Sequence, residues 1–408
     1  MSKTPLYLEK DFGSVDRLFL MLGPACNMCC RHCVENPQKQ LLPSIGLKTV
    51  NVNIDDRVLL LIENFIKSFN KNGGKRKIVF WGGEPLLYWN TICKITEYIA
   101  EKYKGQDCVF SITTNGLLIT DDKIDFLNKY NFMVHFSYDA PYPFAVRDYV
   151  SDEICNKVKR IKGCRILTGY SAYNCDPLLA YHCLTKKFPD IPIDFSVFLG
   201  HSFAMPKDIY AWKWDKIHNA LRKLRIASQL GDHTAYMYLR NNFGLARGNE
   251  IWNNSIKYSG VRKKCVAGYE KLCVTLLGDI TDCHISGEVV GNINDNLEEV
   301  KKKAYSYTLS RSGSKCDSCR HLGLCNGNRC HLNLKEPDGS YIFCNLYYLR
   351  FFDMLKEELL NLTKPLSDED RRWYREQEEI MQKQVQDFLL EGQRFKEEKT
   401  RLPVNYFI

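Results

Sequence analysis

From about residue 15 the chain alternates short β-rich apolar runs with longer stretches of helical periodicity. The runs at 15–22, 77–81, 109–113, 133–138, 165–170 and 192–199 read as strands, and the segments near 54–70, 89–104, 121–130, 145–161 and 176–187 as helices between them. Strand, helix, strand repetition implies a parallel sheet with right-handed crossovers. Six units are too few for a closed eight-stranded barrel, so the pattern predicts an α/β fold containing an open, partial (β/α)6 TIM-like barrel. Ligands of such sheets sit beyond the carboxyl ends of the strands. CNMCC follows the first strand, GGEP the second, TTNG the third and SYDAP the fourth, so all four loops converge on one mouth.

The barrel pattern occupies 15–235, after an extension over 1–14 and with a further helical stretch near 206–230. Residues 236–264 read as a bridge. From 265 to 350 the chain is loop-rich and holds eight cysteines, a composition that buries little apolar area unless metal binding stabilises it. The tail over 351–408 is helical. Ser367 followed three residues on by Asp370 is a helix-start signal, and Tyr374, Met381, Phe388 and Phe395 repeat every seven residues on one apolar face. Docking on the body is the expected use of that face, with a dimer contact as the alternative.

Composition narrows the classes. Hydrophobic content of 45% with 26% charged residues is the balance of a soluble globular protein, and no apolar run approaches the ~18 residues of a membrane span. MSKTPLYLEKDFG lacks the apolar core of a secretory signal, so the expected location is cytoplasmic. Thiols stay reduced there, and the 18 cysteines read as metal ligands and buried thiols, not as disulfides. The net charge of +9 is scattered in short runs such as KNGGKRK without a nucleic-acid motif, so neither nucleic acid nor membrane is an expected partner.

The densest chemistry is CNMCCRHC, where Cys26, Cys30 and Cys33 make C-x3-C-x2-C on the first loop. Three thiolates on one loop can hold three irons of a cubane cluster and leave the fourth iron open to a ligand. A second register through Cys29 uses the same loop. A zinc site would need a fourth ligand, and His32 is awkwardly placed between two others. On the next strand end, Gly82 and Gly83 permit a close backbone approach and Pro85 ends strand pairing, with Glu84 between them.

The cysteine loop resembles the signature loop of the radical S-adenosylmethionine superfamily. The resemblance implies that Cys26, Cys30 and Cys33 ligate a four-iron cluster whose open iron is chelated by the amino and carboxylate groups of S-adenosylmethionine. One-electron reduction then releases a 5′-deoxyadenosyl radical. His32 stands where the family usually packs an aromatic near the adenine, and Gly82, Gly83, Glu84 and Pro85 resemble the motif whose backbone meets the amino group. Asn115, Ser137 and Asp139 match positions used on the ribose and the methionine carboxylate, and Arg147 offers that carboxylate a two-point contact. Each of these last is equally readable as a polar loop residue, and Ala140 replaces the glycine many relatives carry.

The C-terminal set places Cys265 and Cys283 in C-x12-G-x4-C, then Cys316, Cys319, Cys325 and Cys330, then Cys344. It resembles the SPASM domain, a cysteine-rich module that carries two auxiliary four-iron clusters, although its last interval is one residue longer than usual. The resemblance implies three four-iron clusters in all. Cys316, Cys319, Cys325 and Cys344 would hold the outer auxiliary cluster and Cys265, Cys283 and Cys330 the inner one, with Cys273 as its fourth ligand or as a buried thiol. A zinc ribbon is the alternative for Cys316 to Cys330.

SPASM enzymes mostly modify peptides or proteins. The expected function is therefore a radical enzyme that abstracts hydrogen from a ribosomally made precursor peptide and installs a carbon–carbon, ether or thioether cross-link. It would need a one-electron reductant of the flavodoxin or ferredoxin type. No winged-helix domain precedes residue 15, so leader binding is expected to be absent, performed by a separate protein, or moved to the tail. A sulfatase maturase is a second reading, although that family places an Asp where His284 stands. A peptide epimerase and a non-catalytic zinc module complete the alternatives. Asp139 and His284 are the candidate catalytic residues; Cys175, in YNCDP beyond the fifth strand, is a remote third.

Overall fold

The computed structural model describes residues 4–9, 11–33, 40–41, 50, 52–68, 76–103, 108–147, 150–169, 171–196, 213–243, 270–284, 288–309 and 349–399. Its strands are β1 (Arg17–Gly23), β2 (Ala25–Cys26), β3 (Gln40–Leu41), β4 (Arg76–Gly82), β5 (Cys108–Thr114), β6 (Met133–Ser137), β7 (Cys164–Gly169), β8 (Ile193–Ser196), β9 (Lys271–Thr275), β10 (Asp279–Thr281) and β11 (Val289–Asn292). The helices are α1 (Asp56–Lys67), α2 (Trp89–Lys102), α3 (Asp121–Lys129), α4 (Asp152–Val158), α5 (Pro177–Lys187), α6 (Trp214–Gln229), α7 (His233–Phe243), α8 (Leu297–Leu309), α9 (Leu349–Asn361) and α10 (Asp368–Lys399).

All six predicted barrel strands form, and they pair in parallel in the order β1-β4-β5-β6-β7-β8. Three strands from the cysteine-rich part of the chain, β9, β10 and β11, continue that sheet. β9 runs parallel to β1 with Cys273 beside Phe19, and β10 and β11 extend the edge in antiparallel pairing. Cys265, Cys316, Cys319, Cys325, Cys330 and Cys344 lie outside the described residues.

Alternation along the strands separates two faces. Leu18, Leu20 and Leu22 of β1 share one core with Val58, Leu61, Ile62 and Phe65 of α1 and Ile92, Ile95 and Ile99 of α2. Phe19, Val79 and Cys273 are buried on the opposite, concave face, with Met21 and Trp81 packed against them. One predicted helix is shorter than its pattern. The segment expected over 145–161 is helical only from Asp152, where Ser151 caps it, because residues 145–147 are engaged with the cysteine loop.

The tail docks on the body. Tyr374, Met381 and Phe388 are buried, and α10 packs on α5 and α6. The predicted cap forms, with Ser367 Oγ accepting from Asp370 N at 3.0 Å. Asp370 in turn accepts from Arg222 at 2.7 Å and Arg225 at 3.0 Å, and Arg225 Nε donates to Glu358 at 2.6 Å. These bonds clamp the start of α10 to α6. No described helix is long and apolar enough to cross a membrane.

A second polar clamp joins α1 to α2. Buried Glu63 accepts from Lys102 Nζ at 2.6 Å, from Tyr103 OH at 2.7 Å, and from Tyr98 OH. Burial alone would raise its carboxyl, but the bonds from Lys102, Tyr98 and Tyr103 pull it from 4.5 down to about 2. A folded-state value below the unfolded one stabilises above the unfolded value and loses that stabilisation as pH falls toward 2. Glu63→Leu is expected to lower stability by about 1–3 kcal/mol at pH 7. Urea unfolding at several pH values should show the gap between the two proteins closing below pH ~4.

Candidate active site

The mouth is assembled from strand ends that touch backbone to backbone. Beyond β1, Gly23 O accepts from Gly83 N at 3.0 Å and Ala25 O from Glu84 N at 2.8 Å. A Cβ on Gly83 would lie 2.3 Å from Ala25 O and 2.5 Å from Pro24 O, and one on Gly82 would lie 2.5 Å from Gly23 O. The two glycines thus let the GGEP turn close on the segment leading into the cysteine loop. Tyr88 completes the joint, its hydroxyl accepting from Ala25 N at 3.0 Å.

Glu84 links a third strand end to these two. Its carboxylate is buried and accepts from Leu86 N at 3.0 Å, Thr114 Oγ1 at 2.7 Å and Asn115 N at 2.8 Å. Asn115 Nδ2 reaches Asn27 Oδ1 in the cysteine loop at 2.9 Å. Pro85 starts the short 3-10 turn that carries Tyr88. Ser137 closes β6, half-buried and opposite Leu167 of β7.

The cysteine loop is gripped from its other side by residues 145–147. Arg31 N donates to Val146 O and Arg31 Nη1 to Ala145 O, both at 2.9 Å. His32 Nδ1 donates to Val146 O at 2.9 Å, and Nε2 lies 3.4 Å from both Arg147 Nη2 and the Asp139 carboxylate. Arg147 Nε donates to the buried Asp139 carboxylate at 2.9 Å, and Asp139 also accepts from Gly169 N at 3.0 Å. Burial alone would raise the Asp139 carboxyl, but the charges of Arg147 and His32 hold it below the ordinary range. Burial alone would lower the Arg147 guanidinium, but Asp139 and the Cys30 thiol raise it. Asp139 is therefore placed as one half of a buried ion pair, and Arg147 has Nε committed to it.

The loop fits an iron–sulfur cluster by its donors and its surroundings. Cys26 is buried and Cys30 and Cys33 half-buried, whereas Cys29, the competing ligand, is exposed. Arg147 Nη1 stands 3.9 Å from Cys30 Sγ, and a cation beside thiols favours the thiolates that ligate iron. Among the described residues no three His, Cys, Asp or Glu side chains converge as the ligands of a single ion would.

A second group lies on the concave face. His284 packs 4.6 Å from Phe19 and 4.5 Å from Trp81, ring centre to ring centre. Lys271 Nζ is 2.8 Å from His284 Nδ1 and 3.8 Å from Cys283 Sγ. Cys273 is buried beside these groups, and burial pushes its thiol to about 12. Of the candidate inner-cluster ligands, the described residues thus include Cys273 and Cys283, and they lie together. Sequence reading missed Tyr88, Val146 and Lys271. Only Lys271 left a signal, since the alternation in KLCVT puts it on the face of Cys273.

A parallel partial barrel with a three-cysteine loop locked against a GGEP turn defines an enzyme that works through a cofactor held at that mouth. Residues 20–171 match the Radical SAM superfamily. The chain is 28% identical over 377 residues to the radical SAM cyclopropyl synthase TigE of Paramaledivibacter caminithermalis, covering 83% of this chain and 74% of that enzyme. It is 22% identical over 380 residues to a cysteine-type anaerobic sulfatase-maturating enzyme of Clostridium perfringens, covering 85% and 98%. Its fold matches anSMEcpe with bound AdoMet and the Cp18Cys peptide at a TM-score of 0.59 and 19% identity, over 85% of this chain and 99% of that one. SuiB of Streptococcus suis, bound to the precursor peptide SuiA, matches at 0.51 and 20% identity, over 80% and 74%. Residues 20–171 thus form a Radical SAM domain, and over most of its length the chain is similar to enzymes that mature peptides and proteins.

Proposed function

We propose that this enzyme cross-links a ribosomally made precursor peptide through a carbon–carbon, ether or thioether bond. The observation that carries the proposal is the Lys271–His284 pair, set by β9 and the turn after β10 over Phe19 and Trp81 on the concave face, beside the strand that ends in GGEP. A polar pair on an aromatic floor gives a substrate side chain both an apolar seat and a partner for a proton. Ring closure by a cyclopropyl synthase is itself carbon–carbon bond formation, which favours that product class. The peptide bound to SuiB favours a precursor as substrate.

When bound, the four-iron cluster and S-adenosylmethionine supply the 5′-deoxyadenosyl radical that takes hydrogen from the substrate. Cys26, Cys30 and Cys33 hold the cluster; Gly82, Gly83, Glu84 and Pro85 shape the backbone edge that meets the cofactor's amino group. Asn115, Ser137 and His32 line its ribose and adenine side. Asp139 positions Arg147 and His32 and is not the base, because its carboxylate is already engaged by both. Lys271 carries donors, so it donates to His284 Nδ1 and leaves Nε2–H directed to other partners. The cysteines at 265, 273, 283, 316, 319, 325, 330 and 344 ligate two auxiliary clusters, and the electron comes from a flavodoxin- or ferredoxin-type protein. A separate protein can bind the leader.

Sulfatase maturation is the second reading, favoured by a match over 98% of the length of the Clostridium perfringens enzyme and opposed by His284 in place of the family's Asp. The test is anaerobic, with reduced protein and the peptide encoded beside it. Release of 5′-deoxyadenosine and a peptide lighter by two hydrogens are expected. Formylglycine on a sulfatase-derived peptide would transfer the function to the second reading, and an unchanged mass would contradict cross-linking.

A further inference from the structure

A groove of about 510 Å3 crosses the rim of the barrel between the loops after β6 and β7, the start of α6 and one face of α10. Tyr142, Tyr173, Lys213, Lys216, Ile380 and Gln384 are among its walls. The volume lies within the ~300–1,000 Å3 of ordinary ligand pockets, enough for a few residues of extended peptide. One end adjoins the cysteine loop, where the Arg31 guanidinium lies 6.0 Å above the Tyr173 ring. The far wall is held in place by the Arg222, Arg225 and Asp370 clamp and by Gln229, which donates to Lys364 O at 2.8 Å.

The charge in this groove is unbalanced. Asp176 is committed twice, to Lys223 and, at 3.1 Å, to Leu179 N at the start of α5. Lys213 and Lys216 are exposed, and neither has a carboxylate partner among the described residues. α10 is rich in acid, with Glu376, Glu378 and Glu379 in one turn, yet the side chains it turns to the groove are Gln377, Ile380 and Gln384. Tyr142 and Tyr173 are 44% and 37% exposed, large aromatic surfaces in the same groove as these two exposed lysines. Cationic side chains beside exposed rings, facing a wall without carboxylates, fit an acidic peptide segment that carries apolar residues.

We propose that this groove binds an acidic stretch of the peptide substrate, with its carboxylates on Lys213 and Lys216 and its apolar side chains against Tyr142, Tyr173 and Ile380. The proposal rests on the peptide-modifying reading and gives the substrate a chemistry. The tail then serves as one wall of the recognition site.

Fluorescence anisotropy with labelled deca-glutamate, deca-glutamine and deca-uridine probes on the reconstituted full chain tests it. Deca-glutamate is expected to bind best, and the exposed double variant Lys213→Glu/Lys216→Glu to weaken it by about tenfold with an unchanged melting temperature. The precursor's KM should rise in the same variant while 5′-deoxyadenosine release without peptide stays as in the parent. Equal binding of deca-glutamate and deca-glutamine, unchanged binding in the variant, or tighter binding of deca-uridine through the same lysines would overturn the proposal. If the variant cross-links the precursor with an unchanged KM, the groove assignment falls and the peptide reading stands. If the parent cleaves S-adenosylmethionine but modifies no peptide, the reading beneath it falls.

Discussion

Gly83→Ala should reduce 5′-deoxyadenosine formation by about a hundredfold while leaving most of the barrel folded. The added methyl would sit 2.3 Å from Ala25 O and 2.5 Å from Pro24 O, and both atoms are backbone at the junction of β1 and β2. No rotamer change relieves that overlap. The GGEP turn must move away from the segment before Cys26, breaking the bonds from Gly83 N to Gly23 O and from Glu84 N to Ala25 O. Overpacking and the lost bonds together cost about 2–4 kcal/mol, which the rest of the β1–β4 pairing can absorb. Circular dichroism should show the parent's helix and strand content. Cofactor cleavage near the parental rate would mean that the junction does not set the site.

Arg147→Met should cost about 3–5 kcal/mol, the penalty for leaving one member of a buried ion pair. Asp139 would keep its bonds from Gly169 and Thr168 but lose the guanidinium on its second oxygen. Burial would then raise its carboxyl, and the variant should regain stability as pH falls and Asp139 takes up a proton. Arg147→Met/Asp139→Asn should recover part of the loss, because the amide carries no charge to bury. Urea unfolding of both single variants and the double variant measures the coupling. Additive losses would show that the pair contributes no mutual stabilisation, against the geometry of the site.

These two sites differ in how far the sequence announced them. GGEP directly after an apolar strand was legible because glycine pairs and prolines mark backbone events, and those events lie within a few residues. What the glycines touch was not legible, since Pro24 and Ala25 are distant in sequence from Gly83. Asp139 and Arg147 were legible as polar residues beyond β6, but their pairing depends on how 143–147 folds back on the cysteine loop. The same fold-back shortened the helix expected over 145–161, where local propensity yielded to tertiary contacts.

The six barrel strands were readable because each is a short apolar run between loops with turn signals. The partner of β9 was not readable. Parallel pairing with β1 joins residues more than 250 positions apart, and no local pattern specifies such a neighbour. That pairing delivers Lys271, Cys273, Cys283 and His284 to the concave face, so the second half of the candidate site emerges only from topology. The tail shows the converse, since its seven-residue stripe was sufficient to predict which face docks.

Radical generation is expected to depend on Cys26, Cys30 and Cys33. The direct measurement is 5′-deoxyadenosine release by anaerobically reconstituted, reduced protein supplied with S-adenosylmethionine, compared with Cys26→Ala, Cys30→Ala, Cys33→Ala and Cys29→Ala. Release by the parent and by Cys29→Ala, with none from the other three, is the predicted result. No release from the parent, or release that survives loss of any of the three, would contradict it.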